Sequence, residues 1–177
     1  MAAPDITEAK VLRDEGVATP PSQRPTLRFM LRHPTARCIA FGFGSGLAPY
    51  GPGTVGTLWA WAAFLVLDRW LGAAQWGLLL LAALAIGVWA CMRAAQDLGA
   101  ADPGAIVWDE VVAFWLVLWL VMPTGLAGQG IAFALFRFFD IAKPGPVGWA
   151  NRRFKNARGW RQGVGIMLDD LVAALCA

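Results

Sequence analysis

From Trp70 to Met92 the chain runs for 23 residues without a charge. A helix of that length, at about 1.5 Å per residue, reaches across a hydrocarbon core of roughly 30 Å. The rest of the sequence agrees with a membrane setting. It is 58% hydrophobic and only 15% charged, whereas soluble domains carry about a quarter charged residues. Mean hydropathy is +0.52. Ten Trp stand against one Tyr, and Trp favours membrane–water boundaries as well as cores. The reading is an all-α, multi-helix integral membrane protein with a single domain over residues 36–177.

Other apolar segments flank the long one: Val55–Leu67, Ile106–Met122, Gly130–Ala142 and Val164–Ala177. Residues 1–35 carry five prolines among mixed charges and lack the apolar core of a secretory signal. They are expected to form a flexible cytoplasmic tail with a short surface helix near Thr26–Arg32. Six basic residues lie in or beside this tail, from Lys10 to Arg37, and six more between Lys143 and Arg161. Alternating the segments across a bilayer puts both clusters on one face, which the positive-inside rule makes the cytoplasmic one. The same threading brings a glycine-rich loop and most remaining charges to the inner helix ends. The predicted site therefore faces the cytoplasm.

Two acidic pairs stand out at those ends. Asp169-Asp170 interrupts the apolar run Ile166–Val172, and Asp109-Glu110 follows Trp108. An ionised carboxylate in an apolar setting is costly unless it is paired, metal-bound or facing a wet cavity. One acid near a helix start is accounted for as a cap; two adjacent pairs call for a cation. Carboxylates without His or Cys select a hard ion, Mg²⁺ first, then Mn²⁺ or Ca²⁺. Asp109, Glu110, Asp169 and Asp170 are therefore the candidate metal ligands. Cys38, Cys91, Cys176 and the one histidine, His33, show no zinc spacing.

Arg137, Asp140 and Lys143 are spaced i, i+3, i+6. They read either as an ion pair that neutralises Asp140 or as a phosphate-holding face, since the arginine fork suits phosphate. Within Gly42–Gly56, the residues Gly44, Ser45, Gly46 and Thr54 offer amides and hydroxyls that could cradle an anion. A structural re-entrant loop is the competing reading, and neither a Walker A nor a dinucleotide fingerprint is present. Asp97 and Asp102 lie in a polar connection. Nucleic acid is excluded as a partner by the hydrophobicity around the basic clusters.

Five separated motifs, in order, give the chain a family resemblance. They are Gly42-Phe43-Gly44-Ser45-Gly46-Leu47-Ala48-Pro49, Pro52-Gly53-Thr54-Val55-Gly56, Ile106-Val107-Trp108-Asp109-Glu110, Phe136-Arg137-Phe138-Phe139-Asp140-Ile141-Ala142-Lys143-Pro144 and Gly165-Ile166-Met167-Leu168-Asp169-Asp170. The chain resembles the phosphatidylglycerophosphatase A family of bacterial membrane lipid phosphatases from about Phe41 to Leu175. The resemblance implies a compact all-helical fold and Mg²⁺-dependent removal of the terminal phosphate of phosphatidylglycerophosphate, giving phosphatidylglycerol and phosphate. The tail carries none of the motifs.

The expected chemistry is water attack on a phosphomonoester. The two acidic pairs would hold Mg²⁺. Ser45 with the glycine-rich loop, Arg137 and Lys143 would hold phosphate oxygens. Asp97 or Asp140 would serve as base, and a phospho-aspartyl route stays open. A cation or proton transporter also uses intramembrane acids but would scatter them near the midplane. A CDP-alcohol phosphotransferase would carry a long Asp-Gly-Ala-Arg type of signature, which is missing here.

Overall fold

The computed structural model describes residues 25–32, 34–99, 103–154 and 157–177. The expectations for the tail up to residue 24, and for Asp102, lie outside the described residues. All regular structure among the described residues is helical. The helices are α1 (Leu27–Arg32), α2 (Pro34–Ala40), α3 (Pro52–Leu67), α4 (Ala73–Leu98), α5 (Trp108–Val121), α6 (Leu126–Ala142), α7 (Gly145–Phe154) and α8 (Trp160–Cys176), with a 3₁₀ turn at Gly42–Leu47.

Helix α5 is the axis of the fold. Its sequence is apolar all round after Glu110, the pattern of a helix with no wet face. Val111, Val112, Ala113, Phe114, Trp115, Val117 and Leu118 are all buried. Helices α3, α4, α6 and α8 pack around it. Indole N–H groups need acceptors when buried, and here they set the register. Trp108 Nε1 donates to Ala83 O at 3.0 Å and Trp119 Nε1 to Ala73 O at 3.1 Å, so α4 runs antiparallel to α5. Trp115 Nε1 donates to Ala60 O on α3 at 2.8 Å. Phe114 packs on both Phe133 and Phe136 of α6, each with centroids 5.7 Å away.

Helix α8 lies close against α4 because glycine lets the backbones approach. A Cβ on Gly163 would overlap the Val88 carbonyl oxygen, and one on Gly87 would crowd Trp108 and Met167. These contacts run in opposite chain directions, so α8 is antiparallel to α4 and parallel to α5. The starts of α3 and α5 and the end of α6 consequently meet at one end of the bundle, and the Asp169-Asp170 stretch of α8 passes that end.

Helix α4 has 26 residues, about 39 Å of helix. It is long and apolar enough to cross a membrane, the one such helix among the described residues. Charge does not end it. Arg93 closes the uncharged run, yet the helix continues through Ala94, Ala95 and Gln96 until Gly99 adopts the left-handed conformation at φ 64°. The segment read from sequence as a polar connection from Arg93 to Pro103 is thus helical through Leu98. Likewise the glycine-rich stretch becomes helical at Pro52. Gly53 and Gly56 lie inside α3, where a Cβ would meet Glu110 and Val107, respectively. The basic segment after Lys143 forms α7 rather than an open loop.

Candidate active site

Five carboxylates gather at the shared end: Asp109, Glu110, Asp140, Asp169 and Asp170. The charge of each of the other four acts on Asp170. Asp109, Asp140, Asp169 and Asp170 are buried, with Asp170 only 3% exposed. Two cations contact the cluster, Arg137 and Lys143.

Arg137 comes from the last turns of α6. Its Nη1 donates to Asp140 Oδ2 at 2.6 Å and Glu110 Oε1 at 3.2 Å. The same nitrogen approaches Thr57 Oγ1 at 3.5 Å, while Thr57 donates to Gly53 O at 2.8 Å. The first turns of α3 thereby adjoin the guanidinium. Arg137 Nε is buried and has no acceptor among the described residues.

Lys143 caps α6 in the left-handed region at φ 43°, and Gly145 follows at φ 48°, so the chain reverses sharply into α7. Lys143 Nζ donates to Asp169 Oδ2. Burial opposes the ammonium, but its bond to Asp169 and the charges of Asp169, Asp170 and Asp140 outweigh that cost and hold its pKa above the ordinary lysine value. Lys143 therefore stays charged across the neutral range. Asn151 of α7 adds a second donor, Nδ2 to Asp169 Oδ2 at 3.0 Å.

Asp170 differs from its neighbours. It takes no hydrogen bond and forms no ion pair among the described residues. The donor set around it, carboxylate oxygens with no thiol or imidazole, is the type that hard cations take. No three His, Cys, Asp or Glu side chains among the described residues are gathered tightly enough to form a ready metal cage.

The sequence-derived residues divide accordingly. Asp109, Glu110, Asp140, Asp169, Asp170, Arg137 and Lys143 come together. Asp97 does not: it pairs with Arg37 at 2.9 Å, and Arg37 also donates to Phe29 O at 2.6 Å. Because α4 continues past Arg93, Asp97 sits ten residues beyond Gly87, about 15 Å further along the helix. It ties α2 to α4 and is not among the carboxylates gathered at the shared end. In the 3₁₀ turn the Gly44 and Gly46 amides donate to Phe41 O at 2.9 and 3.0 Å. Ser45 Oγ donates to Gly42 O at 2.8 Å. These three groups are spent within their own turn, which packs on Ala105 and Val107 just ahead of Asp109. Thr54 is half-buried in the first turn of α3, whose N-terminus has no side-chain cap. Asn151 escaped sequence reading: one amide in a basic stretch carries no signal until α7 is seen to fold back.

Buried acids and bases held within reach of one another on an all-helical scaffold define an enzyme-type centre. Comparison with known proteins specifies which. Residues 38–177 match the family model described as Phosphatidylglycerophosphatase A. The chain is 39% identical over 137 residues to Phosphatidylglycerophosphatase A of Escherichia coli, covering 77% of this chain and 76% of that protein. It is 40% identical over 141 residues to the protein of the same name from Haemophilus influenzae, covering 78% and 82%. No solved structure matches. The chain belongs to the phosphatidylglycerophosphatase A family and is a phosphatase.

Proposed function

We propose that this protein removes the terminal phosphate of phosphatidylglycerophosphate in a Mg²⁺-dependent hydrolysis at the cytoplasmic face of a bacterial inner membrane. One observation carries the reading. Among the described residues, the same cluster holds a buried carboxylate that takes no hydrogen bond, Asp170, and a buried guanidinium N–H with no acceptor, Arg137 Nε. A cation answers the first and a phosphate oxygen the second. Among the described residues, five carboxylates stand against two contacting cations, and the oxygen-only donors fit Mg²⁺, with Mn²⁺ as a substitute. Asp109, Glu110, Asp169 and Asp170 would hold it. When bound, such an ion neutralises carboxylate charge and acts as a Lewis acid on a phosphate oxygen.

The chain's own residues supply the rest. Arg137 stays anchored to Glu110 and Asp140 through Nη1, leaving Nε to donate to the phosphoryl group. The start of α3 has no side-chain cap and packs on Glu110 at Gly53, so the Gly53 and Thr54 amides would serve a phosphate oxygen there. Asp140 accepts the proton of the attacking water. The bond from phosphorus to the glycerol oxygen breaks, and that oxygen takes a proton from solvent water, to which Asp140 later returns its own.

A multi-pass embedding suits the surface. Trp70 is exposed at one end, and Trp149 and Trp160 at the other, with Leu78, Leu81, Ile131 and Leu135 exposed between them. Arg152, Arg153, Arg158 and Arg161 are exposed at the acidic end, as a cytoplasmic face requires.

Phosphate release from phosphatidylglycerophosphate, phosphatidate and a soluble phosphomonoester, each with Mg²⁺ and with EDTA, tests the proposal. Release from the first substrate, abolished by EDTA, is the expected result. Equal rates in EDTA would refute the metal assignment, and preference for phosphatidate would refute the substrate.

A further inference from the structure

We propose that Asn151 is a positioning residue: it locks the Asp169 carboxylate so that Oδ1, and not Oδ2, is presented to the metal. The inference rests on the metal reading above. Lys143 Nζ and Asn151 Nδ2 both donate to Oδ2, and Oδ1 takes no hydrogen bond among the described residues. Since a carboxylate only accepts and the amide nitrogen only donates, the amide orientation is unambiguous here.

The two donors are not equivalent. The Lys143 side chain is a point charge on a flexible four-carbon stem, 30% exposed. It can follow Asp169 through a rotation. The Asn151 amide has a short stem on a packed helix and cannot. Val147, one turn earlier on the same face, is fully buried, and Ala150 is buried beside it. Gly148 brings α7 against the Lys143 carbonyl, which a Cβ would meet at 2.6 Å. The sharp reversal at Lys143 and Gly145 therefore delivers a rigid donor to Asp169. Being neutral, Asn151 fixes the carboxylate without cancelling the charge a cation needs. Groups of this kind, behind a metal ligand, typically govern affinity or activity by about 10–100-fold.

The test replaces the donor while keeping most of the volume, Asn151→Leu, with Asn151→Ala as the second variant. Binding of Mg²⁺ alone is measured by calorimetry without substrate, alongside kcat, KM and the melting temperature in EDTA. Both variants are expected to bind Mg²⁺ about 10–100-fold more weakly and to lose kcat similarly. KM for the lipid should stay within about twofold and melting should be unchanged. Wild-type Mg²⁺ affinity in Asn151→Leu overturns the inference, as does a loss that follows a fallen melting temperature in both variants. If the unaltered protein binds no Mg²⁺ while still releasing phosphate, the metal reading fails and takes this inference with it.

Discussion

Asp170→Asn is expected to melt at a higher temperature than the unaltered protein in metal-free buffer and to release almost no phosphate. Asp170 is 3% exposed, takes no hydrogen bond among the described residues and sits within the field of four other acids. Replacing this buried acid with a neutral group of the same shape relieves about 1–3 kcal/mol. The activity loss runs the other way. Losing one ligand from a centre whose work is electrostatic costs on the order of 10²–10³-fold or more in kcat. Added Mg²⁺ should raise the melting temperature of the unaltered protein by mass action and that of the variant far less. Melting curves with and without Mg²⁺, paired with phosphate release, check both halves. A variant that melts lower, or keeps its rate, would place Asp170 in a purely structural role.

Arg137→Ala has the opposite signature, since both stability and activity should fall. The guanidinium joins Asp140 on its own helix to Glu110 on α5, with all three side chains no more than 13% exposed. Removing it takes away the cation that balances Asp140 and Glu110, a loss of about 3–5 kcal/mol. Arg137→Lys separates the two effects. It restores a positive charge but not the planar fork that anchors on one nitrogen and donates from another. Stability should recover in large part while kcat stays depressed. Denaturation in EDTA and kinetics at saturating Mg²⁺ measure the two quantities. Full activity in the lysine variant would show that Arg137 acts on the acids alone.

Those acids were legible in the sequence because their chemistry is loud. Adjacent carboxylates inside Ile166–Val172 and after Trp108 have few stable explanations. Alternation placed Asp109-Glu110 at a helix start, but Asp169-Asp170 lies in the middle of α8, because that helix begins at Trp160 and not at Val164. Helix extent was harder to read. The uncharged run ends at Arg93, but a helix stops where its cap permits, and Gly99 comes six residues later. That shift separates Asp97 from the site. The glycines were ambiguous for a related reason. Gly44 at φ 105° serves a turn, whereas Gly53 and Gly163 serve close packing, and composition treats them alike. Asn151 depended wholly on the reversal after Lys143, a backbone event that no periodicity announces. The functional residues visible in advance were those whose burial needs an explanation; the invisible ones are ordinary residues made important by their place.

Anomalous scattering from crystals grown with Mn²⁺ would locate the ion itself. A peak is expected among Asp109, Glu110, Asp169 and Asp170, with Asp169 contributing Oδ1 while Oδ2 stays bound to Lys143 and Asn151. No peak at these carboxylates, in crystals of protein that hydrolyses the lipid with Mn²⁺, would contradict the metal assignment.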